Sequence, residues 1–281
     1  MNEDHGLSLA DGDTDARWAF GTGFTDPLHG VATAVPDGVD AAALAAHCLA
    51  LADDALVSAQ RLGEWCTRAP ELEEEVALAN IGLDLLGQAR LLYTRAGQAE
   101  GSGRSEDDLA YFRDPSDFRN VRLVELPNGD FAFSMARLLV FATWRLALFE
   151  RLAGSPDPVL AAVAAKGVKE LTYHRQYAAD WVVRLGDGTE ESHRRMQQGL
   201  DEVAPYLGEL LTGHTGFGVD PAQVEDEVTA VLRQVAEAAR LTLREAVPLP
   251  GSGREGDRTE HLAPLLAELQ GVARAHPGAV W

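Results

Sequence analysis

The sequence is poor in the residues that disulfide frameworks, thiolate metal sites and phosphate-binding surfaces need. Of its 281 residues, only Cys48 and Cys66 are cysteines, too few for a disulfide framework or a thiolate metal site. Lysine occurs twice, as Lys166 and Lys169, and 24 basic residues face 44 acidic ones, for a net charge of −20. Because phosphate binding needs a basic surface, we expect neither nucleic acid nor an anionic membrane as a partner.

Long apolar runs and a secretory leader are also missing. The N-terminus carries acidic residues where a signal peptide has a basic and then an apolar region. The longest apolar run, residues 41–52, contains His47 and is shorter than the ~18 residues of a membrane-spanning helix. With so few cysteines, the expected location is the reducing cytoplasm.

The sequence lacks three common catalytic and nucleotide-binding motifs. There is no Gly-x-Ser-x-Gly, no P-loop and no Gly-x-Gly-x-x-Gly after a strand. No segment shows the period-2 pattern of a half-buried strand, and no internal repeat recurs at a fixed spacing. The sequence therefore points away from sheet-based nucleotide-binding and hydrolase folds.

Long apolar segments of helical periodicity make up most of the chain. The predicted helices span residues 41–66 (with Asp40 as N-cap), 70–97, 131–153, 158–185, 189–211, 221–244 and 259–276. Short corners follow the first and third helices, and a long connection follows the second, as in a ferritin-like bundle with one crossover. The predicted fold is all-α: residues 40–281 form one ferritin-like four-helix bundle with about three additional C-terminal helices, after an acidic, mobile tail of residues 1–39.

The second predicted helix attracts attention because it is apolar on almost every face, which is typical of a helix at the centre of a bundle. Asn80, Asp84 and Gln88 nevertheless recur along it at intervals of four residues, so they form one polar stripe. Buried polar groups need a partner, a ligand or water. This stripe is therefore the first place to look for a functional site.

A ferritin-like bundle raises the question of a carboxylate-bridged di-iron centre, which takes a Glu from each of two helices and a Glu-x-x-His from each of the other two. The first helix offers Asp54, for which an ion pair with Arg61 is the preferred interpretation. In the second helix, Gly87 stands three residues after Asp84, where a histidine is needed. The third helix has no acidic residue between positions 138 and 148.

The fourth helix carries Glu170 and His174, spaced by four residues and interpreted as a hydrogen-bonded pair. The single literal Glu-x-x-His, Glu190 to His193, lies in the first turn of the fifth helix, where acidic residues favour the helix start. We therefore predict no catalytic residue, metal or cofactor in this chain. Its candidate site is a degenerate polar cluster with the members Asp54, Asn80, Asp84, Gln88, Glu170 and His174.

The sequence leaves the roles of two local features undecided. The lysines at positions 166 and 169 lie within the turn before Glu170, and one of them is a candidate for the positive charge that neutralises a vacated metal site. The connection 97–130 alternates aromatic residues and arginines, including Phe118, Arg113 and Arg119. It is either a contact surface, with the two arginines as candidates for contacting coenzyme A, or a loop folded back onto its own bundle.

Five separated segments resemble one known family, in matching order. They are RLGEWC (61–66), ALANIGLDLLGQAR (77–90), LVELPNGDFA (123–132), KELTYH (169–174) and TEHLAPLLAELQ (259–270). They resemble the C-type (PaaC) structural subunits of the phenylacetyl-CoA epoxidase, or phenylacetate-CoA oxygenase, complex, and the resemblance covers residues 40–281.

The resemblance implies a ferritin-like bundle that has lost its iron ligands and supports a homologous catalytic A-type subunit, which carries the di-iron centre. It further implies a small B-type subunit, an accessory protein and a transient reductase with flavin and iron–sulfur groups. Such a complex uses O2 and NADPH to epoxidise the ring of phenylacetyl-CoA in aerobic phenylacetate degradation. The alternatives are a di-iron oxygenase or oxidase in its own right, with a degenerate ligand set, and an unrelated all-α adaptor.

Overall fold

The computed structural model describes residues 28–212, 217 and 219–279. Within these ranges the chain is helical and contains no β-sheet, which confirms the all-α prediction. The helices are α1 (Ala41–Gly63), α2 (Leu72–Glu100), α3 (Glu106–Tyr111), α4 (Phe131–Leu152), α5 (Pro158–Gly186), α6 (Glu190–Val203), α7 (Leu207–Thr212), α8 (Pro221–Ala238) and α9 (Leu262–Ala275).

Two long antiparallel hairpins form the centre of the structure. Helix α1 packs along α2, α4 packs along α5, and α2 faces α5. Helices α6 and α8 pack against α4 and also contact α5. Asp40 caps α1 as predicted, because its carboxylate accepts hydrogen bonds from the N–H groups of Ala42 and Ala43. Asp130 and Asp157 cap α4 and α5 in the same way.

The prediction that the second helix is buried on almost every face is wrong. Leu72, Val76 and Leu83 of α2 are exposed, whereas α4 is buried along nearly its whole length. The physical reason is that α4 is enclosed by α5, α6 and α8, while the main contacts of α2 are with α1, α3 and α5. Apolar periodicity identifies a surface that needs covering, but it does not say whether the same chain covers it.

Helix α2 also begins and ends later than predicted, at Leu72 and Glu100. Gly97 does not end the helix but lies buried within it. A Cβ at this position would lie 2.4 Å from the carbonyl oxygen of Arg104, so the glycine allows the following segment to pass close to the helix.

The connection 97–130 contains local structure that the sequence analysis did not predict. It holds the last residues of α2, helix α3 and short 3-10 turns at Pro115–Asp117 and Arg122–Glu125. Phe118 is buried and packs in the core. The segment therefore folds back onto the bundle, in agreement with the second of the two interpretations.

The C-terminal helices are shorter than predicted. Helix α6 ends at Val203, and Pro205, which has no N–H, lies in the 3-10 turn that leads to α7. Helix α8 ends at Ala238, because Arg240 adopts a left-handed backbone conformation with φ 56° and the N–H of Leu241 bonds back to Ala236. Most of the predicted break at 213–220 and the terminal residues 280–281 lie outside the described residues.

Part of the predicted N-terminal tail belongs to the packed structure. Residues 1–27 lie outside the described residues. Leu28, Val31, Val35 and Val39 pack against the core. The packed part of the described chain therefore begins before Asp40.

Helices α1 and α4 are long and apolar enough to cross a membrane by length and composition alone. Most residues in both are buried by the other helices, and the core helices of soluble proteins pass the same test. Burial within the protein accounts for their hydropathy, and the absence of a membrane-spanning segment stays a prediction.

Candidate functional site

An arginine that the sequence analysis missed lies at the centre of the helical hairpins. Arg145, in the middle of α4, is completely buried. Its Nε donates to Oε1 of Gln88 on α2 at 3.0 Å, and its Nη1 donates to the carbonyl oxygen of Leu51 on α1 at 3.2 Å. The guanidinium carbon also lies 4.4 Å from the centroid of the Phe149 ring, within the range of a cation–π contact. The guanidinium of Arg145 is thus held by side-chain and backbone groups of α1 and α2.

The charge of Arg145 is costly in this environment. Burial lowers its pKa to about 10, and the nearby Asp54 carboxylate opposes this effect, with 3.9 Å between Oδ2 and Arg145 Nη1. At neutral pH the guanidinium is still protonated. The guanidinium of Arg145 is therefore a fixed positive charge at the centre of the hairpins.

Gln88 extends this network to the surface of α5. Its Nε2 donates to Oε2 of Glu170 at 2.9 Å, and the other carboxylate oxygen of Glu170 is paired with Lys166. Lys166, and not the exposed Lys169, is therefore the lysine that neutralises Glu170. A continuous chain of hydrogen bonds leads from Lys166 at the surface to Arg145 in the interior.

The predicted pairing of Glu170 with His174 is wrong, because each residue has a partner on α2. Nε2 of His174 lies 3.0 Å from Oδ2 of Asp84. His174 is buried and Asp84 is partly exposed, while Asn80, one turn earlier on α2, is exposed. The polar stripe of α2 therefore runs from the surface at Asn80 to the interior at Gln88, and only its last two positions contact α5 side chains through the hydrogen bonds above.

The predicted ion pair between Asp54 and Arg61 is also wrong. Asp54 accepts hydrogen bonds from Nη1 of Arg254 at 2.9 Å and from the N–H of Val121 at 2.8 Å. Arg61 bonds to Glu64 at 2.7 Å and to the carbonyl oxygen of Glu125 at 2.6 Å. Helical spacing allowed the predicted pair, but a residue 200 positions away in the chain reaches Asp54 instead.

The two arginines considered for coenzyme A contacts are used within the chain. Arg113 is buried in an ion pair with Asp53 and donates to the hydroxyl of Tyr93 at 3.2 Å. Burial, together with the Asp53 carboxylate, raises the pKa of Tyr93 well above its usual value, so the phenol stays neutral. Arg119 directs its Nη1 to the carbonyl oxygen of Ser116 at 2.7 Å. This group fixes the 97–130 segment to α1 and α2.

The donor set does not fit a carboxylate-bridged di-iron centre. Asp54 is neutralised by Arg254, Glu170 is neutralised by Lys166, and Arg145 places a positive charge between them. Among the residues that the structure describes, one group of three possible metal ligands lies close enough together to share an ion: Glu71, Glu73 and Glu74, at the start of α2.

The literal Glu-x-x-His also lies away from the hairpin centre, as predicted. Glu190 is exposed, and Nδ1 of His193 lies 2.7 Å from the carbonyl oxygen of Gly186. Thr189 caps α6 through the N–H of Ser192. The motif is part of a helix start.

One sequence signal could have identified Arg145. It stands between Trp144 and Leu146 in a helix that is apolar on every side, so its charge had to be buried and therefore paired. Arg145 is the one charged residue between positions 138 and 148 of this helix.

Two comparisons with known proteins agree with the motifs. The family described as phenylacetic acid catabolic protein, which covers the A and C types, matches residues 31–281. The chain is also similar to the C-type subunit of 1,2-phenylacetyl-CoA epoxidase from Escherichia coli (strain K12), with 43% identity over 246 residues, 85% of this chain and 99% of the relative. The resemblance seen in the sequence is thereby confirmed, and the chain belongs to the phenylacetic acid catabolic protein family.

Proposed function

We propose that this chain is the non-catalytic structural subunit of a multicomponent monooxygenase that epoxidises the ring of phenylacetyl-CoA. The observation that carries the proposal is the buried Arg145 at the centre of the helical hairpins, hydrogen-bonded to Gln88. The similarity to a protein named as the C-type component of such an epoxidase supplies the reaction and implies partner subunits.

The magnitude of the electrostatic effect supports a non-catalytic role. A unit charge repels a divalent cation at 4 Å by about 8 kcal/mol at an effective dielectric constant of ~20. The two central acids cannot offset this repulsion, because Asp54 and Glu170 already neutralise Arg254 and Lys166. The alternative of a di-iron enzyme in its own right requires these same carboxylates as ligands and is therefore disfavoured.

We further propose that α1, α2, α4 and α5 form a ferritin-like four-helix bundle that supports a homologous A-type subunit in the cytoplasm. The di-iron centre belongs to that catalytic partner, and a small B-type subunit is the third member of the complex. A transient reductase with flavin and iron–sulfur groups delivers electrons from NADPH. The family match and the two antiparallel hairpins support this arrangement.

Reconstitution tests the proposal. Phenylacetyl-CoA-dependent NADPH oxidation is measured with the A-type and B-type subunits and the reductase, with and without this chain. We expect turnover to require the chain and to be unchanged by Glu170→Gln, which keeps an acceptor for Lys166 but removes a candidate metal ligand. A loss of turnover in a fully assembled Glu170→Gln complex would favour the di-iron alternative.

A further inference from the structure

One face of the α2–α5 hairpin pair is unusually apolar for an exposed surface. Leu72, Val76 and Leu83 of α2 are 69%, 52% and 62% exposed, and their spacings of four and seven residues place them on one side of the helix. Tyr173 of α5 is 56% exposed. These four side chains, here called the α2–α5 face, belong to adjacent helices that contact each other.

The contacts between the two helices place Leu83 and Tyr173 at the same level. Asp84, which follows Leu83, contacts His174, which follows Tyr173. The exposed apolar side chains therefore flank one inter-helix contact and do not lie scattered over the surface. Contiguous exposed apolar patches mark interaction sites more often than single exposed residues do.

Gly87 continues the same side of α2, four residues after Leu83. A glycine inside a helix is less favourable than alanine, because its backbone loses more freedom on folding. A Cβ at Gly87 meets nothing within 4 Å in the described structure, whereas one at Gly167 would lie 2.6 Å from the Phe149 ring. The fold of the chain accounts for Gly167 but not for Gly87. A helix of another protein that packs closely against α2 would explain why a glycine stands here and why it lies beside Leu83.

The start of α2 carries a cluster of negative charges that a basic partner residue would stabilise. The carboxylates of Glu71, Glu73 and Glu74 lie within 4.8 Å of one another. Glu71 and Glu73 are exposed, and like charges this close repel one another. A lysine or arginine side chain from outside would relieve this repulsion.

We propose that the α2–α5 face is the docking surface for the catalytic subunit, one of whose helices crosses α2 at Gly87. Apolar side chains of that helix cover Leu83, Val76 and Tyr173, and a basic side chain from the same partner reaches the exposed Glu73. This inference rests on the proposed function, since the occupant is the catalytic partner and not a second copy of this chain.

Two pairs of matched variants test the surface. Gly87→Ala adds one methyl group on the face, and Gly271→Ala adds one in the middle of α9, where a Cβ also meets nothing within 4 Å. Leu83→Glu places a charge on the face, and Val272→Glu does so at a similarly exposed position of α9, 60% exposed. The dissociation constant for the purified A-type subunit is measured for each full-length variant, and light scattering gives the composition of every complex.

We expect both alanine variants to raise the melting temperature of the isolated chain, because helix-interior glycine is replaced. Binding is expected to weaken about 30-fold for Leu83→Glu, the effect of a central interface residue. It is expected to weaken about tenfold for Gly87→Ala, since a methyl group is forced into a packed contact. The two α9 variants are expected to bind like the wild type.

The outcomes separate the two proposals. If Leu83→Glu and Gly87→Ala leave binding to the A-type subunit unchanged, the docking surface is contradicted and the proposed function stands. If the wild-type chain does not bind the A-type subunit, both are contradicted. A complex of two copies of this chain that Leu83→Glu dissociates contradicts the choice of partner, because the face then serves self-association.

Discussion

The replacement of Gln88 by leucine probes the central network at its connecting residue. Gln88 is 1% exposed and joins Arg145 Nε to Glu170 Oε2. Leucine fills a similar volume but leaves the buried guanidinium without this acceptor, and Arg145 Nη2 already has no hydrogen-bond partner among the described residues. An unmade hydrogen bond to a buried charge costs roughly 2–3 kcal/mol. The loss at Glu170 is small, because Lys166 still pairs with it.

Removing Arg145 itself has opposing effects. Burial lowers its pKa from 12.5 to about 10, so loss of the charge relieves a cost of about 3 kcal/mol. This relief roughly offsets the hydrogen bonds lost at Gln88 and Leu51. We therefore expect Arg145→Met to destabilise the chain by less than about 2 kcal/mol and to suppress most of the cost of Gln88→Leu when the two are combined.

The assay is a double-mutant cycle measured by urea unfolding of the isolated chain. We predict a coupling energy of about 2 kcal/mol between Gln88 and Arg145. Gln198→Leu, on the exposed face of α6, removes a hydrogen bond to Glu202 and is the matched control; its expected effect is within about 0.5 kcal/mol. A coupling below about 0.5 kcal/mol would show that the two side chains do not depend on each other and would refute the network.

Three further predictions concern other titratable groups. Asp84→Ala removes the partner of Nε2 of buried His174 and is expected to lower stability by about 1–2 kcal/mol, seen as a lower melting temperature and lower soluble yield; unchanged values would contradict a buried pair. Burial, and then the Arg254 charge, lowers the pKa of His47 to about 4. Below pH 6.5 the unfolded chain therefore binds a proton at His47, whereas the native chain binds it only below about pH 4. Because of this difference, about 3 kcal/mol of stability should be lost as the pH falls between these values. His47→Leu should reduce the pH dependence of the free energy of unfolding, measured with urea, between pH 6.5 and 4. An unchanged pH dependence would mean that other groups cause the loss of stability. Lys166→Met should lower the melting temperature while the exposed Lys169→Met does not, and equal effects would exclude a specific role for the Lys166–Glu170 pair.

Features set by neighbouring residues could be predicted from the sequence. The all-α fold, the Asp40 cap and the short corners all follow from local periodicity and capping chemistry. The pairing of Asp54 could not be predicted, because its partner Arg254 comes from a loop 200 residues later. Helical spacing offers local partners only, and tertiary contacts decide between them.

The prediction that α2 is buried on almost every face was wrong for a different reason. Its leucines predicted a helix covered on all sides, but Leu72 and Leu83 are exposed in the isolated chain. A sequence encodes the surfaces that need covering in the final assembly, including those that a partner protein covers. If the catalytic partner docks on this side, the original prediction of an enclosed helix describes the complex and not the single chain.

Iron content tests the central claim most directly. Elemental analysis is made on the chain purified alone from iron-supplemented cells, with the A-type subunit from the same cells as the positive control. We predict close to zero iron per chain here and close to two in the control, the content of a di-iron bundle. Close to two irons in this chain would contradict a non-catalytic role, because a di-iron centre would then form despite the charge of Arg145.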